Sequence, residues 1–455
     1  MSTQSITNRL QQEKISKLLL HYTIPAIVGT MVNSLYSIVD RIFIGQGVGA
    51  LAISGLTLTF PVLNFIHAFG MLVGVGAATR ISIRLGRNEV DKAERVLGNA
   101  LMLSLIFSVL TTVLSLVFIK PLLFQFGGSE ATIPFALDYL YIVIPSTIFM
   151  TLSFSFNAMM RASGYPRKAM LTMLLGAGIN IVLDPIFIFV FKMGIQGAAI
   201  ATVLSMLVCT VWVMSHFYSK ESILHFQRKY LKLHKQTVFS ILSIGMSPFG
   251  MMIAASFVTI VVNRTLNSNG GDLAVGAYGI VSSFETLLVM LCMGITQGMQ
   301  PIIGFNYGAQ QYDRLLEVLK LGIIAASIIT GVGFIFSMVM PQTMVQLFTT
   351  DNQLVDISAQ GMRVYFAIFF VVGFQIVAAQ YFQNIGKAWK SMFLSLTRQV
   401  IFLIPGMLIL PNFFGLDGVW AANPVASFFS ALLTGLFLMH EIKTLRQGVL
   451  QTRAQ

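Results

Sequence analysis

Apolar residues run in stretches of about 20 along nearly the whole chain, separated by short polar or basic segments, and each stretch is long enough to cross the roughly 30 Å hydrocarbon core of a bilayer as a helix. The runs are continuous and do not alternate, which excludes a membrane barrel, whose strands switch sides at every residue. The pattern predicts about twelve helices, near residues 17–44, 50–78, 96–119, 134–160, 168–191, 195–218, 236–262, 274–302, 316–340, 356–383, 390–411 and 416–440. The lead LQQEKISK contains an acid and lacks a small-residue cleavage site, so the first run reads as a retained helix and not as a signal peptide.

The polar loops between the runs repeat. LGRNEVDKAERVL from Leu85 matches YGAQQYDRLLEVL from Tyr307, with Gly86 over Gly308, Asp91 over Asp313, and Val96 and Leu97 over Val318 and Leu319. Gly164 falls opposite Gly386 in the basic loops RASGYPRK and QNIGKAWK, and MGIQGAA from Met193 aligns with FGLDGVW from Phe414. Shared membrane composition does not align polar loops, so the chain is expected to be all-α, with two six-helix lobes around a central cavity. The lobes span residues 1–218 and 236–455, and the charged segment 219–235 links them. Both copies carry their basic loops on one side, which makes them parallel repeats suited to alternating access.

Composition sharpens this picture. The 455 residues are 56% hydrophobic and 10% charged, against roughly a quarter charged in soluble domains. A net charge of +12 raises the question of nucleic acid, but roughly four fifths of the basic residues fall on alternate loops, on the face that the positive-inside rule makes cytoplasmic. The charge is therefore a topology signal, with no nucleic-acid partner and both termini inside. Cys209 and Cys292 lie in separate apolar runs and form neither a disulfide framework nor a metal pattern.

An ionisable residue within such a helix costs about 2.5–3.5 kcal/mol on insertion scales, so each one calls for a reason. In the first helix Asn33, Tyr36, Ser37 and Asp40 recur every three or four residues, a polar stripe expected to face the lobe interior. In the fifth, Asn180 and Asp184 sit one turn apart, and Pro185 removes a backbone donor and frees the carbonyl of Ile181. Counting about 1.5 Å per residue from the cytoplasmic side puts Asp40 about 33 Å and Asp184 about 24 Å along their helices, while Thr202 lies about 10 Å in from the other side. All of them can meet in the outer half of the first lobe. Carboxylates, amide, carbonyl and hydroxyl suit a proton or a hard cation such as Na+. The competing readings are an interfacial Asp40 solvated beside Arg41, and an Asp184 that merely bonds one helix to another.

In the second lobe Glu285 and Arg398 both approach mid-membrane, about 16 Å and 12 Å from their helix ends. They are expected to pair, either as a substrate-cation or gating site or as an ion pair that locks the lobe. The 37 Phe and 25 Met are mostly core, although a subset lining a cavity would suit lipophilic cations. No GxxxxGK[ST] occurs, so nucleotide does not drive the chain directly, and the six histidines form no HExxH. The acids are isolated, without the magnesium-binding clusters of a prenyl or lipid transferase. No enzyme is expected, and no cofactor beyond a coupling ion.

VDRIFIG at Val39 to Gly45, the GRNEVDKAE and RASGYP loops, NIVLDP, and GIQGAAIAT, in this order over essentially the whole chain, resemble the multidrug and toxic compound extrusion (MATE) family, most closely its DinF-like bacterial branch. The resemblance implies a monomeric antiporter of the bacterial inner membrane that exports drugs and organic cations in exchange for Na+ or H+. It assigns the cation site to Asp40, Asn180, Asp184 and Thr202, and adds Asn157 in helix four as a polar position. The acid that some relatives carry in helix seven is missing from GMSPFGMMIAASFV, which moves attention to Glu285. A flippase for lipid-linked intermediates is the alternative, but it calls for a more cationic cavity than Arg398 alone provides.

Overall fold

The computed structural model describes residues 3–126 and 128–453, so the outermost residues of both expected lobes lie outside the described residues. Among the described residues every regular element is a helix. A short helix α1 (Thr3–Gln12) precedes α2 (Ile15–Gly47), α3 (Ala50–Gly86), α4 (Val90–Gln125), α5 (Ile133–Val143), α6 (Thr147–Ala162), α7 (Pro166–Pro185) and α8 (Gly194–Tyr218). Then follow α9 (Lys235–Gly308), broken at Gly271, α10 (Tyr312–Val339), α11 (Pro341–Gln346), α12 (Asn352–Tyr365), α13 (Phe370–Asn384), α14 (Ala388–Leu396), α15 (Leu403–Ile409) and α16 (Pro411–Arg453), broken at Gly415.

Eleven of these helices or helix limbs are long and apolar enough to cross a membrane, and a twelfth span forms if α12 and α13, bent by 55° at their junction, count as one. The helices run past the expected ends: α3 continues through Arg80 and Arg84 to Gly86, and α4 begins at Val90. Apolar runs end where charge begins, whereas backbone hydrogen bonding continues into the polar interface.

Membrane character is written into individual helices. On α4 the buried positions include Ser104, Ser108, Thr111 and Ser115, while Ile106, Val113, Val117 and Phe118 are exposed. On α10 Ala326, Thr330, Gly333 and Ser337 are buried, and Ile328, Val332, Ile335 and Val339 are exposed. In water this pattern would be inside out. In lipid, apolar surface needs no cover, and small residues let helices approach closely while their hydroxyls bond to carbonyls a turn back, as Ser108 Oγ does to Leu105 O at 2.9 Å and Thr330 Oγ1 to Ala326 O at 3.0 Å.

The backbone repeats as the loops do. Left-handed residues occur in pairs: Gly49 and Gly271, Asn88 and Gln310, Gly164 and Gly386, Gly194 and Gly415. The first three pairs are displaced by 222 residues (271 less 49, 310 less 88, 386 less 164) and the last by 221 (415 less 194). Among the described residues only Lys192 has a positive φ without such a partner. Each half thus turns its corners at the same places, with glycine supplying six of the nine positive φ angles.

The chain divides into two compact units. The first comprises residues 1–13 and 24–249, the second 14–23 and 250–455. In the first unit α3 packs against α4, α5 and α6, and α8 against α5, α6 and α7, over a core that includes Ile44, Leu56, Leu140, Ile188 and Ala198. In the second, α13 packs against α10, α14 and α16, and aromatic residues Tyr365, Phe366, Phe369 and Trp420 fill the centre.

Candidate functional site

Asp40 lies near the end of α2 and is 9% exposed; Asp184 ends α7 and is fully buried. Pro185 follows Asp184 without an amide hydrogen, and the chain then widens into a π turn, Ile186–Val190, of the kind that marks functional positions in helices. The two carboxyls lie within hydrogen-bonding reach of each other. Among the described residues no protein donor serves Asp40 Oδ1, either Asp184 oxygen, or Asn180 Oδ1. Two carboxyls in such contact require a shared proton or a cation between them, and Asn180 Oδ1 is a further unserved oxygen one turn back along α7.

Asn180, one turn before Asp184, donates from Nδ2 to Thr202 Oγ1 of α8 at 3.4 Å. Tyr36, one turn before Asp40, faces both carboxyls. Tyr139 of α5 was not legible beforehand: its hydroxyl reaches Thr202, and it adjoins Asp40, Asp184 and Tyr36. A tyrosine in LDYLYIVIP carries no sequence signal beyond a hydroxyl in an apolar run. Asp40 is buried while its neighbour Arg41 stacks at 4.6 Å on Phe60, and the group that Asp184 meets on a neighbouring helix is the Asp40 carboxyl.

Two residues named from the sequence stand apart. The polar stripe of α2 does not face inward along its whole length: Asn33 is exposed, and its carbonyl accepts from Ser37 Oγ at 3.0 Å. How much of a stripe is covered depends on the helices packed beside it and not on its spacing alone. Asn157, 8% exposed, donates from Nδ2 to Ala169 O at 2.7 Å, a staple between α6 and α7.

The second unit has a different centre. Arg398 Nη1 meets Glu285 Oε1 at 3.3 Å, with 12% and 18% of their side chains exposed. Tyr365 donates its hydroxyl to the other oxygen of Glu285, and Tyr278 packs at 6.0 Å from the Tyr365 ring. Arg398 sits in a second π turn, Thr397–Phe402. This carboxylate is satisfied on both oxygens. Among the described residues no group of three or more His, Cys, Asp or Glu is placed to hold a metal ion.

A family model, MatE, matches the chain twice, at residues 25–186 and 247–408. The chain is 29% identical over 433 residues to the multidrug export protein MepA of Staphylococcus haemolyticus, covering 95% of each. It is 28% identical over 428 residues to MepA of Staphylococcus aureus strain N315, covering 94% of each. A crystal structure of a MATE protein in a bent conformation superposes with a TM-score of 0.92 at 25% identity, covering 97% of this chain and 98% of that one.

Proposed function

The chain belongs to the MatE family of transporters, and from that premise we propose that it is a secondary multidrug efflux antiporter, exporting organic, mostly cationic compounds in exchange for Na+ or H+ by alternating access between lobes 1–218 and 236–455, with 219–235 as connection. Its place is a bacterial inner membrane with both termini in the cytoplasm, where the positive-inside rule puts the basic loops. It works as a monomer. Motif likeness favours the DinF-like branch, while the chain's relatives include the multidrug export protein MepA.

The observation that carries this reading is the pair of buried carboxyls without donors. Asp40 and Asp184 cannot both ionise cheaply at such range, so the arriving ion is what makes their closeness favourable. Asn180 Oδ1 and Thr202 add oxygen ligands, giving an all-oxygen donor set that fits Na+ and equally a proton. Tyr36 and Tyr139 hold the rim. Exchange requires that ion and drug favour different states of the protein, and α2, with Pro25 inside it, is the element through which ion arrival at Asp40 is transmitted. Glu285 and Arg398 act as the substrate or gating pair, a drug cation competing with Arg398 for Glu285. Asn33 and Asn157 are secondary, the one exposed and the other committed to a backbone carbonyl. The flippase reading is the weaker, because the Arg398 guanidinium is already committed to Glu285.

The deciding experiment is efflux of a fluorescent cation from everted vesicles, driven separately by a Na+ gradient and by a pH gradient. Asp40→Asn and Asp184→Asn are expected to lower the driven component by about a hundredfold at normal abundance. Wild-type efflux in both variants would remove this site from the mechanism.

A further inference from the structure

The connection after α8, which its charge marks as a simple linker, is gripped along its length by the start of α4. Glu94, 7% exposed, accepts the amide hydrogen of His225 at 3.0 Å on one oxygen and the side-chain amide of Gln227 on the other. Asn99, fully buried, donates to Tyr230 O at 2.9 Å and Lys232 O at 3.2 Å and accepts from the His234 amide at 2.7 Å. One side chain thereby satisfies three backbone groups of a segment that has no strand or helix partner for them. Gly98 lies between these two grips, and a Cβ there would stand 2.7 Å from Tyr230 O, so only glycine lets the segment lie this close. Tyr230 itself is buried, with Arg95 above its ring at 5.2 Å and its hydroxyl donated to Asp91. Phe226 anchors the other end against Phe156 and Phe217, with ring centroids 5.6 and 5.7 Å away.

The internal repeat separates what is general from what is special here. At a displacement of 222 residues, the shared positions Gly86, Asp91, Val96 and Leu97 recur as Gly308, Asp313, Val318 and Leu319. The gripping residues do not recur: Glu94, Gly98 and Asn99 correspond to Leu316, Lys320 and Leu321. The grip is an addition to the first half and not part of the repeated plan.

We propose that residues 223–234 are a docked strap, with Glu94, Gly98 and Asn99 as its dedicated receptor on α4. The strap fixes where α9 starts: His234, its last gripped residue, directly precedes Lys235, and the first limb of α9 as far as Phe249 belongs to the first unit. Displacement of the later part of α9 is then taken up within that helix and not in the connection before it.

Hydrogen–deuterium exchange on the full-length protein in nanodiscs tests this, and its readout is independent of any transport assignment. The amides of His225 and His234 are expected to exchange at least tenfold more slowly than those of the adjoining exposed residues around Lys220. In Glu94→Ala/Asn99→Ala the two amides should accelerate at least tenfold while the amides of α4 stay protected, and trypsin should gain access to Arg228, Lys229 and Lys232. Tyr230→Phe, which removes the hydroxyl's bonds to Asp91 and Lys229 and keeps the buried ring, should change exchange by a few-fold at most. Exchange of the wild-type amides at the rate of a free loop overturns the strap, whatever the variants do; so does a folded double variant with unchanged exchange.

Discussion

The two halves set corresponding helices side by side and fill the juncture with opposite chemistry. In the first, α2 and α7 bring Asp40 to Asp184, with Asn180 a turn away. Displaced by 222 residues, Asp40 becomes Val262; with Pro185 laid on Pro405, a displacement of 220 (405 less 185), Ile404 falls opposite Asp184 and Val400 opposite Asn180. In the second half Val262 is buried in an apolar cluster with Leu403 and Met407, and Val261, packed on that cluster, lines a cavity of about 560 Å³ together with Ile260, Val400 and Ile404. The charges of that half lie elsewhere, in Glu285 and Arg398, and they satisfy one another. A site for a mobile ion needs acceptors that the protein leaves unserved, whereas an ion pair already holds its counter-charge. Duplication supplied one scaffold twice, and the choice of a few side chains made one copy a candidate coupling site and the other a structural or substrate-facing centre.

The sharpest way to break this contrast is Asp184→Asn, which keeps the shape and removes the charge. The driven component of efflux should fall by about a hundredfold, the upper range of coupling between two ligands; a Km change with unaltered maximal rate would instead move Asp184 into drug binding. Next comes Arg398→Gln, which leaves Glu285 without its cation. Losing one partner of a buried pair costs about 3–5 kcal/mol, and partial exposure places this one toward the lower end. Thermal unfolding in detergent should register the loss, and Glu285→Gln/Arg398→Gln should recover part of it. If the double variant is no more stable than the single, the pair is not what holds that centre.

Val262→Asp puts a single carboxylate where the first half has two, and should cost about 2.5 kcal/mol without creating ion dependence. A gain of Na+-dependent stabilisation in that variant would mean that the scaffold alone, and not the paired carboxyls, selects the ion. The smallest effect is expected from Tyr139→Phe, which removes the hydroxyl that reaches Thr202 and is worth about 1 kcal/mol. Half-saturation by the coupling ion should shift by roughly fivefold with maximal efflux retained.

Much of this molecule was legible along the chain, for reasons visible in particular residues. Lipid makes long apolar runs obligatory, so the spans stand out, and a carboxylate such as Asp184 inside one is too costly to be incidental. Depth counting brought Glu285 and Arg398 to a common level, and the structure joins them at 3.3 Å. Tyr139 and Tyr365 escaped because a tyrosine in an apolar run is ordinary, and only a neighbouring helix turns its hydroxyl into part of a site. Asn33 is the converse case, since a polar stripe names a helix face and the neighbouring helices decide how much of that face is covered.

What the sequence by itself determined is everything set by local chemistry and periodicity: helical spans, the doubled plan, the isolation of a few intramembrane charges, and the excess of basic residues on alternate loops. What the tertiary structure alone decided is which polar groups are left unserved and which are satisfied. Asp40 and Glu285 look alike in sequence, each an acid in an apolar helix. Their difference lies in what other helices bring: for Asp40 another acid, for Glu285 an arginine and a tyrosine hydroxyl. The strap is the same lesson outside the apolar runs, because Glu94 and Asn99 find their partners more than 130 residues away, and hydrogen-bond satisfaction is a property of assembled neighbours that no single segment encodes.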